Sequence, residues 1–161
     1  MDGSVRVFAG ISDIGQGQAT ALKQIAAEAV GVPFEAVSVT WGDTVAPHTG
    51  DQVASSTTMM TGNAVKLAGD DARKQIIKAA ARLLKEPAEN LNVENGMVFS
   101  TVDPEKKIPV SGVIKSPGVK VINGTGKWSI TDTIASPRSL VVTACEVAVD
   151  TETGKVQLLN M

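Results

Sequence analysis

The 161-residue chain contains one cysteine, one histidine and no tyrosine, and aromatic residues make up only 3% of it. A single Cys145 excludes an internal disulfide and any multi-cysteine metal site, and with one histidine beside it zinc and iron–sulfur sites are all but ruled out. So few aromatic rings leave little on which nucleic-acid bases could stack. The net charge of −2 comes without a conspicuous run of Lys or Arg, so no nucleic-acid footprint is expected. No apolar run approaches the ~18 residues of a membrane span. Met1-Asp2-Gly3-Ser4 has no charged stretch leading into an apolar one, so a signal peptide is not expected and a cytoplasmic location is. Apolar residues, at 43%, are plentiful enough for a packed core.

Val5, Val7 and Ala9 alternate with Arg6 and Phe8, which predicts a strand ending at Gly10. Ser12 to Gly17 reads as a glycine-rich turn. A helix is expected from Gln18 to Val30, because Leu22, Ile25, Ala26 and Ala29 share one face, and Gly31 and Pro33 stop it. Val37, Val39 and Trp41 predict a second strand, running into a turn at Gly42-Asp43-Thr44. Residues 45–58 read as irregular. The spacing of Val65, Ala68, Ala72, Ile76, Ala79 and Leu83 predicts a long helix from about Met59 to Leu84, closed by Glu86-Pro87. Asn95-Gly96, inside Leu91 to Phe99, is the strongest short hairpin signal. Residues 103–137 read as loops with weak strands. Leu140 to Val149 reads as a strand, turned at Asp150–Gly154 into Lys155 to Leu159. The expected fold is α+β, with two main helices on a mostly antiparallel sheet, in one domain over 1–161 that is itself part of something larger.

Gly15-Gln16-Gly17 falls between a strand and a helix start, where backbone N–H groups are unpaired and glycine permits close approach of a bulky anion. A phosphate cradle and a plain tight turn both fit. The third glycine of a dinucleotide fold is missing, as are the lysine and hydroxyl of a P-loop. Ser55-Ser56-Thr57-Thr58 precedes the second helix. One hydroxyl suffices for capping, so a second anion cradle is the competing reading. Two such loops suggest one elongated phosphorylated ligand between them. His48 reads as a solvated loop residue, Cys145 as an inert core thiol, and Asp13, Asp43 and Asp51 as turn residues. Asp70 and Asp71 belong on a solvated helix face, and Met59 and Met60 read as packing residues.

Taken in order, Asp13-Ile14-Gly15-Gln16-Gly17 with Thr20, Gln24 to Glu28, Gly31-Val32-Pro33, Gly42-Asp43-Thr44 with Pro47, and Ser55 to Thr58 followed by Gly62 to Val65 form a series. That series resembles the molybdopterin-binding large subunits of the xanthine dehydrogenase and aldehyde oxidase family. Glu146 to Asp150 and Thr153 to Val156 resemble the family's following hairpin. Residues 86–137 match weakly. The resemblance implies a molybdopterin cofactor, or its dinucleotide form, held at its pterin and phosphates by Gly15, Gln16 and Gly17 and by Ala54, Ser55, Ser56, Thr57 and Thr58. Many relatives carry Ser-Arg where Ser55-Ser56 stands here, which removes a guanidinium. The family's base, a glutamate in a Gly-x-Gly-Glu motif, has no counterpart in this chain. No catalytic or metal-binding residue is therefore expected. The partners implied are the remainder of the molybdenum subunit and the iron–sulfur and flavin modules. The parent reaction would be hydroxylation of an aromatic heterocycle or an aldehyde with water as oxygen source, or a related reduction, and the chain by itself is expected to be inactive. A stand-alone binding module for a phosphorylated pterin or nucleotide, and a structural or interaction domain, are the alternatives.

Overall fold

A computed structural model of the chain describes residues 2–53, 55–119, 121–130 and 141–161. It divides into two compact units, Met1–Ile130 and Thr131–Met161.

The first unit opens with a crossover. Strand β1 (Val5–Phe8) leads through the glycine loop into helix α1 (Gln18–Val30), and the chain returns as β2 (Val37–Thr40). β2 lies parallel to β1, with Val5 opposite Val37 and Phe8 opposite Thr40. A parallel pair requires a crossover of this kind, which here is supplied by α1. Helix α1 spans the residues its periodicity predicts. Both its flanking residues, Gly17 and Gly31, adopt left-handed backbone, with φ of 73° and 85°. Gly31 is also a packing requirement, because a Cβ there would collide with the Val93 carbonyl.

Helix α2 (Thr57–Leu84) starts two residues earlier than the apolar pattern indicates. It lies against α1 in the same direction: Gly62 faces Ile25 and Gly69 faces Ala29, and Thr58 meets Gln18 at the starts of the two helices. Side by side and parallel, the helices bring both N-termini to one end of the unit. The core joins Leu22, Ala26 and Val30 of α1 to Val65, Ile76 and Ala80 of α2 and to Val37.

At the opposite end, β3 (Leu91–Glu94), β4 (Met97–Ser100) and β5 (Lys107–Pro109) form an antiparallel sheet. Asn95 and Gly96 turn β3 into β4 with positive φ at both positions, the combination a two-residue hairpin of this type requires. The Gly96 N–H donates to the Gly31 carbonyl, which ties the hairpin to the end of α1. The described residues of 103–130 are loops with one short strand, as expected, apart from one helix. A short helix, α3 (Val110–Lys115), buries Val110 and Val113. Beyond it, Gly124 and Gly126 lie so close to α2 that a Cβ on either would strike the carbonyls of Ala68 and Ala64. Asp71 accepts the Thr125 N–H, and the Gln75 amide donates to the Asn123 carbonyl, holding this strap in place.

The second unit contains an antiparallel hairpin of β6 (Glu146–Val149) and β7 (Val156–Asn160). Asp150 closes its turn by accepting the N–H groups of Glu152 and Thr153. The expected strand from Leu140 is shorter: it begins at Glu146, residues 141–145 are not extended into it, and Leu140 lies outside the described residues, as do 131–137 of the expected loop. Cys145 is exposed, not a core thiol. Its apolar neighbours Val141 and Val142 are exposed too, so apolar context alone was a poor guide to burial.

Candidate functional site at the paired helix starts

The loop after β1 and the loop before α2 are stitched together. The Thr49 hydroxyl donates to the Gly10 carbonyl (2.8 Å), and the Ser12 N–H donates to the Gln52 side-chain oxygen (2.7 Å). Gly10 permits this approach, since a Cβ there would sit 2.5 Å from the Pro47 carbonyl oxygen. At the helix starts themselves the Thr58 hydroxyl donates to Gln18 Oε1 (3.2 Å). The Gly15-Gln16-Gly17 turn and the Ser55 to Thr58 run therefore border one edge of the unit. Ala54 lies outside the described residues.

The two loops are built differently. In the first, Asp13 folds its carboxylate over the start of α1. It accepts N–H groups from Gly15 (3.1 Å), Gly17 (3.3 Å) and Ala19 (3.0 Å). These bonds, that from Ala19 foremost, hold the Asp13 carboxyl below its ordinary value. Asp13 is thus a turn residue, as its context suggests, and it also supplies the negative charge that the helix dipole favours. The Gln16 side chain braces the same loop. Its Oε1 accepts the Ile14 N–H (2.7 Å) and its Nε2 donates to the Ser12 carbonyl (3.0 Å). An amide nitrogen carries two hydrogens, so this bracing uses one donor and leaves another. Gln16 is exposed. Gly15 and Gly17 have φ of 104° and 73°, and a Cβ on either would meet nothing within 4 Å. The outer side of the turn is open.

The second loop is not capped by its hydroxyls. Ser56 precedes α2, but its side chain makes no cap bond to the helix N–H groups, nor does another side chain among the described residues. The Ser56 hydroxyl turns back and donates to the Val53 carbonyl (2.6 Å). Capping, the expected use of one of these hydroxyls, is replaced by a turn that holds Ser55 at φ 55°. No acidic residue occupies the first turn of α2.

One residue escaped the sequence reading. Gln18 is 5% exposed, and its Nε2 has no hydrogen-bond partner among the described residues. A glutamine in a helix's first turn carries no signal in a sequence, because such positions are ordinarily solvated. His48 and Asp51 are exposed, and Asp43 bonds the Val45 N–H within its own turn. Asp70 pairs with Lys66 on the surface of α2. A cleft of about 240 Å³ lined by Glu28, Arg73, Asn92 and Glu94 lies at the C-terminal end of α1, away from the glycine turn. The Arg73 guanidinium there is engaged by Asn92 and the Val93 carbonyl, a structural arrangement.

Comparison with known proteins shows the family. A family model described as the molybdopterin cofactor-binding domain matches residues 1–161. The chain is 35% identical over 161 residues to a probable hypoxanthine oxidase of Escherichia coli K12, covering 98% of this chain and 16% of that protein. It is 30% identical over 127 residues to the nicotine 6-hydroxylase large subunit of Paenarthrobacter nicotinovorans, covering 78% and 15%. Quinoline 2-oxidoreductase from Pseudomonas putida 86 superimposes with a TM-score of 0.63 at 25% identity, covering 92% of this chain and 20% of that one. The chain thus spans about one-sixth of the curated relatives it matches. With the fold and the match over its whole length in agreement, the chain belongs to the molybdopterin cofactor-binding domain family of the xanthine dehydrogenase type.

Proposed function

We propose that residues 1–161 are part of a single molybdopterin-binding domain in the catalytic subunit of a molybdenum hydroxylase, and that they hold the phosphate end of the cofactor. Gly15, Gln16 and Gly17 form one side of the seat and residues 54–58 the other. The observation that carries this reading is the Thr58–Gln18 hydrogen bond, which draws the two helix starts together. The residues fit such a group. The outer side of the glycine turn is free of neighbours, the start of α2 lacks a cap, and a buried amide nitrogen beside it lacks an acceptor. A phosphate at the start of α2, flanked by the open glycine turn and within reach of Gln16, answers all three, because an uncapped helix N-terminus favours an anion.

The bound cofactor supplies the metal centre for oxygen and electron transfer. This chain's contribution is to bind and orient it. Gln16 presents its remaining amide hydrogen from a braced loop, so little freedom is lost on binding. The base for the reaction, the substrate pocket and the electron-transfer iron–sulfur and flavin partners lie on other segments or subunits of a cytoplasmic assembly. The relatives act on nicotine and hypoxanthine by their names, which favours an aromatic nitrogen heterocycle as the parent substrate class. The test is mass spectrometry of the ligand released from the native subunit carrying this segment, for the parent protein and for Gln16→Ala. A phosphorylated pterin, mono- or dinucleotide, reduced in the variant, supports the reading. Full pterin occupancy in Gln16→Ala, or release of an unrelated ligand, refutes it.

A further inference from the structure

The two helix starts are not equivalent. At α1 the Asp13 carboxylate already accepts the N–H groups of Gly15, Gly17 and Ala19. A phosphate placed there would displace those bonds and face a carboxylate whose proton is held off by the same contacts. Like charges at that separation repel. At α2, among the described residues, the N-cap residue Ser56 makes no side-chain cap and the first turn holds no acidic residue. Its second residue, Thr58, points its hydroxyl at Gln18 Oε1. That bond fixes the Gln18 amide between the two helices, with its Nε2 unpaired. A buried donor without an acceptor is costly and uncommon in native proteins, and Gln18 is 95% buried by its 5% exposure.

We propose that Gln18 is an anion-binding residue: its Nε2, together with the first-turn N–H groups of α2, is the seat of a phosphate oxygen, while Asp13 closes α1 against the anion. The inference rests on the phosphate-holding role above and assigns it to one of the two helices. Thr58 orients the amide. Its one hydroxyl hydrogen goes to Gln18 Oε1, so it has none to donate to the anion. Gln18→Glu keeps an oxygen for Thr58 and removes the donor. Gln18→Met keeps the volume and removes both polar atoms.

The experiment is a titration of the 15N-labelled 161-residue chain with inorganic pyrophosphate, followed by amide chemical shifts. The expected result is a single saturable curve shared by the Gln18 side-chain amide and the backbone N–H groups of Thr57, Thr58 and Met59. The apparent dissociation constant should rise by about ten-fold or more in Gln18→Met, the loss of one hydrogen bond to a charged group, and further in Gln18→Glu. Unchanged spectra of the core amides show whether each variant is folded. Asp13→Asn serves as the second variant and should leave the pyrophosphate shifts at α2 in place. Shifts confined to Gly15, Gly17 and Ala19 would overturn the assignment to α2 while leaving the two-loop phosphate site standing. Equal affinity in parent and Gln18→Glu, or no saturable shift up to about 10 mM, weaker than any functional anion seat, would overturn the inference. The pterin content of the Gln16→Ala subunit then decides separately whether the wider reading survives.

Discussion

Substitution of Gly69 by alanine should separate the two helices on which the site depends. A Cβ at position 69 would lie 2.5 Å from the Ala29 Cβ and 3.5 Å from the Ala29 carbonyl carbon. Neither atom can swing aside, so α1 must move as a body. Overpacking of this kind costs about 1–3 kcal/mol. Alanine also gains up to about 1 kcal/mol over glycine in a helix interior, so the net expectation is a loss of about 1 kcal/mol. Gly62 provides the internal control. Its added Cβ would lie 2.9 Å from Ile25 Cδ1, the far end of a flexible side chain. There the rotamer can yield and the helix propensity gain survives, so Gly62→Ala should be neutral or up to about 1 kcal/mol stabilising. Both positions share α2 and share the propensity term, so their difference, about 2 kcal/mol, isolates the steric term. Urea unfolding followed by circular dichroism measures it through the midpoints at constant slope. A Gly69→Ala protein as stable as Gly62→Ala would refute the close parallel packing of α1 on α2.

Three further outcomes are expected. The folded-state pKa of Asp13 is lowered, so its contribution to stability is complete above the unfolded value of 3.8 and is lost as pH falls through the folded value; Asp13→Asn should therefore be less stable than the parent at neutral pH, the gap narrowing below pH 3.8 in acid-unfolding curves. In the intact subunit Gln16→Ala should weaken cofactor retention by about 1.5–3 kcal/mol, the worth of a hydrogen bond to a charged group, read as pterin content after dialysis, while the unfolding midpoint moves far less. The 161-residue chain alone, supplied with cofactor and an artificial electron acceptor, should oxidise neither purine nor aldehyde above background in a spectrophotometric assay.

The elements carried by local chemistry were legible in the sequence. Helix α1 ends where Gly31 dictates, and Asn95-Gly96 makes the hairpin its conformational preferences predict. What depended on distant partners was not. The parallel pairing of β1 with β2 needs the crossover to be complete. Gly124 and Gly126 look like loop glycines until α2 is beside them, when they become close-approach positions. Helix α3 is only six residues long, too short for a periodic face to stand out. At the site, the glycine turn and the hydroxyl run were visible as two separate signals. That they face one ligand was expected as well; the contact that joins them was not, because it is made by Gln18 and Thr58, forty positions apart. Nor did sequence distinguish the helix start that Asp13 closes from the one left open, since an aspartate five residues before a helix fits a plain turn as well as a cap.

The most direct test is an experimental structure of the cofactor-loaded subunit that contains this segment. The account predicts a phosphate of the pterin cofactor between the Gly15-Gln16-Gly17 turn and the start of α2, with its oxygens within hydrogen-bonding distance of the Gln16 side chain and of N–H groups at 57–59, about 2.7–3.2 Å. A cofactor phosphate bound elsewhere, with the Gln16 amide and the first turn of α2 facing only solvent or protein, would contradict it.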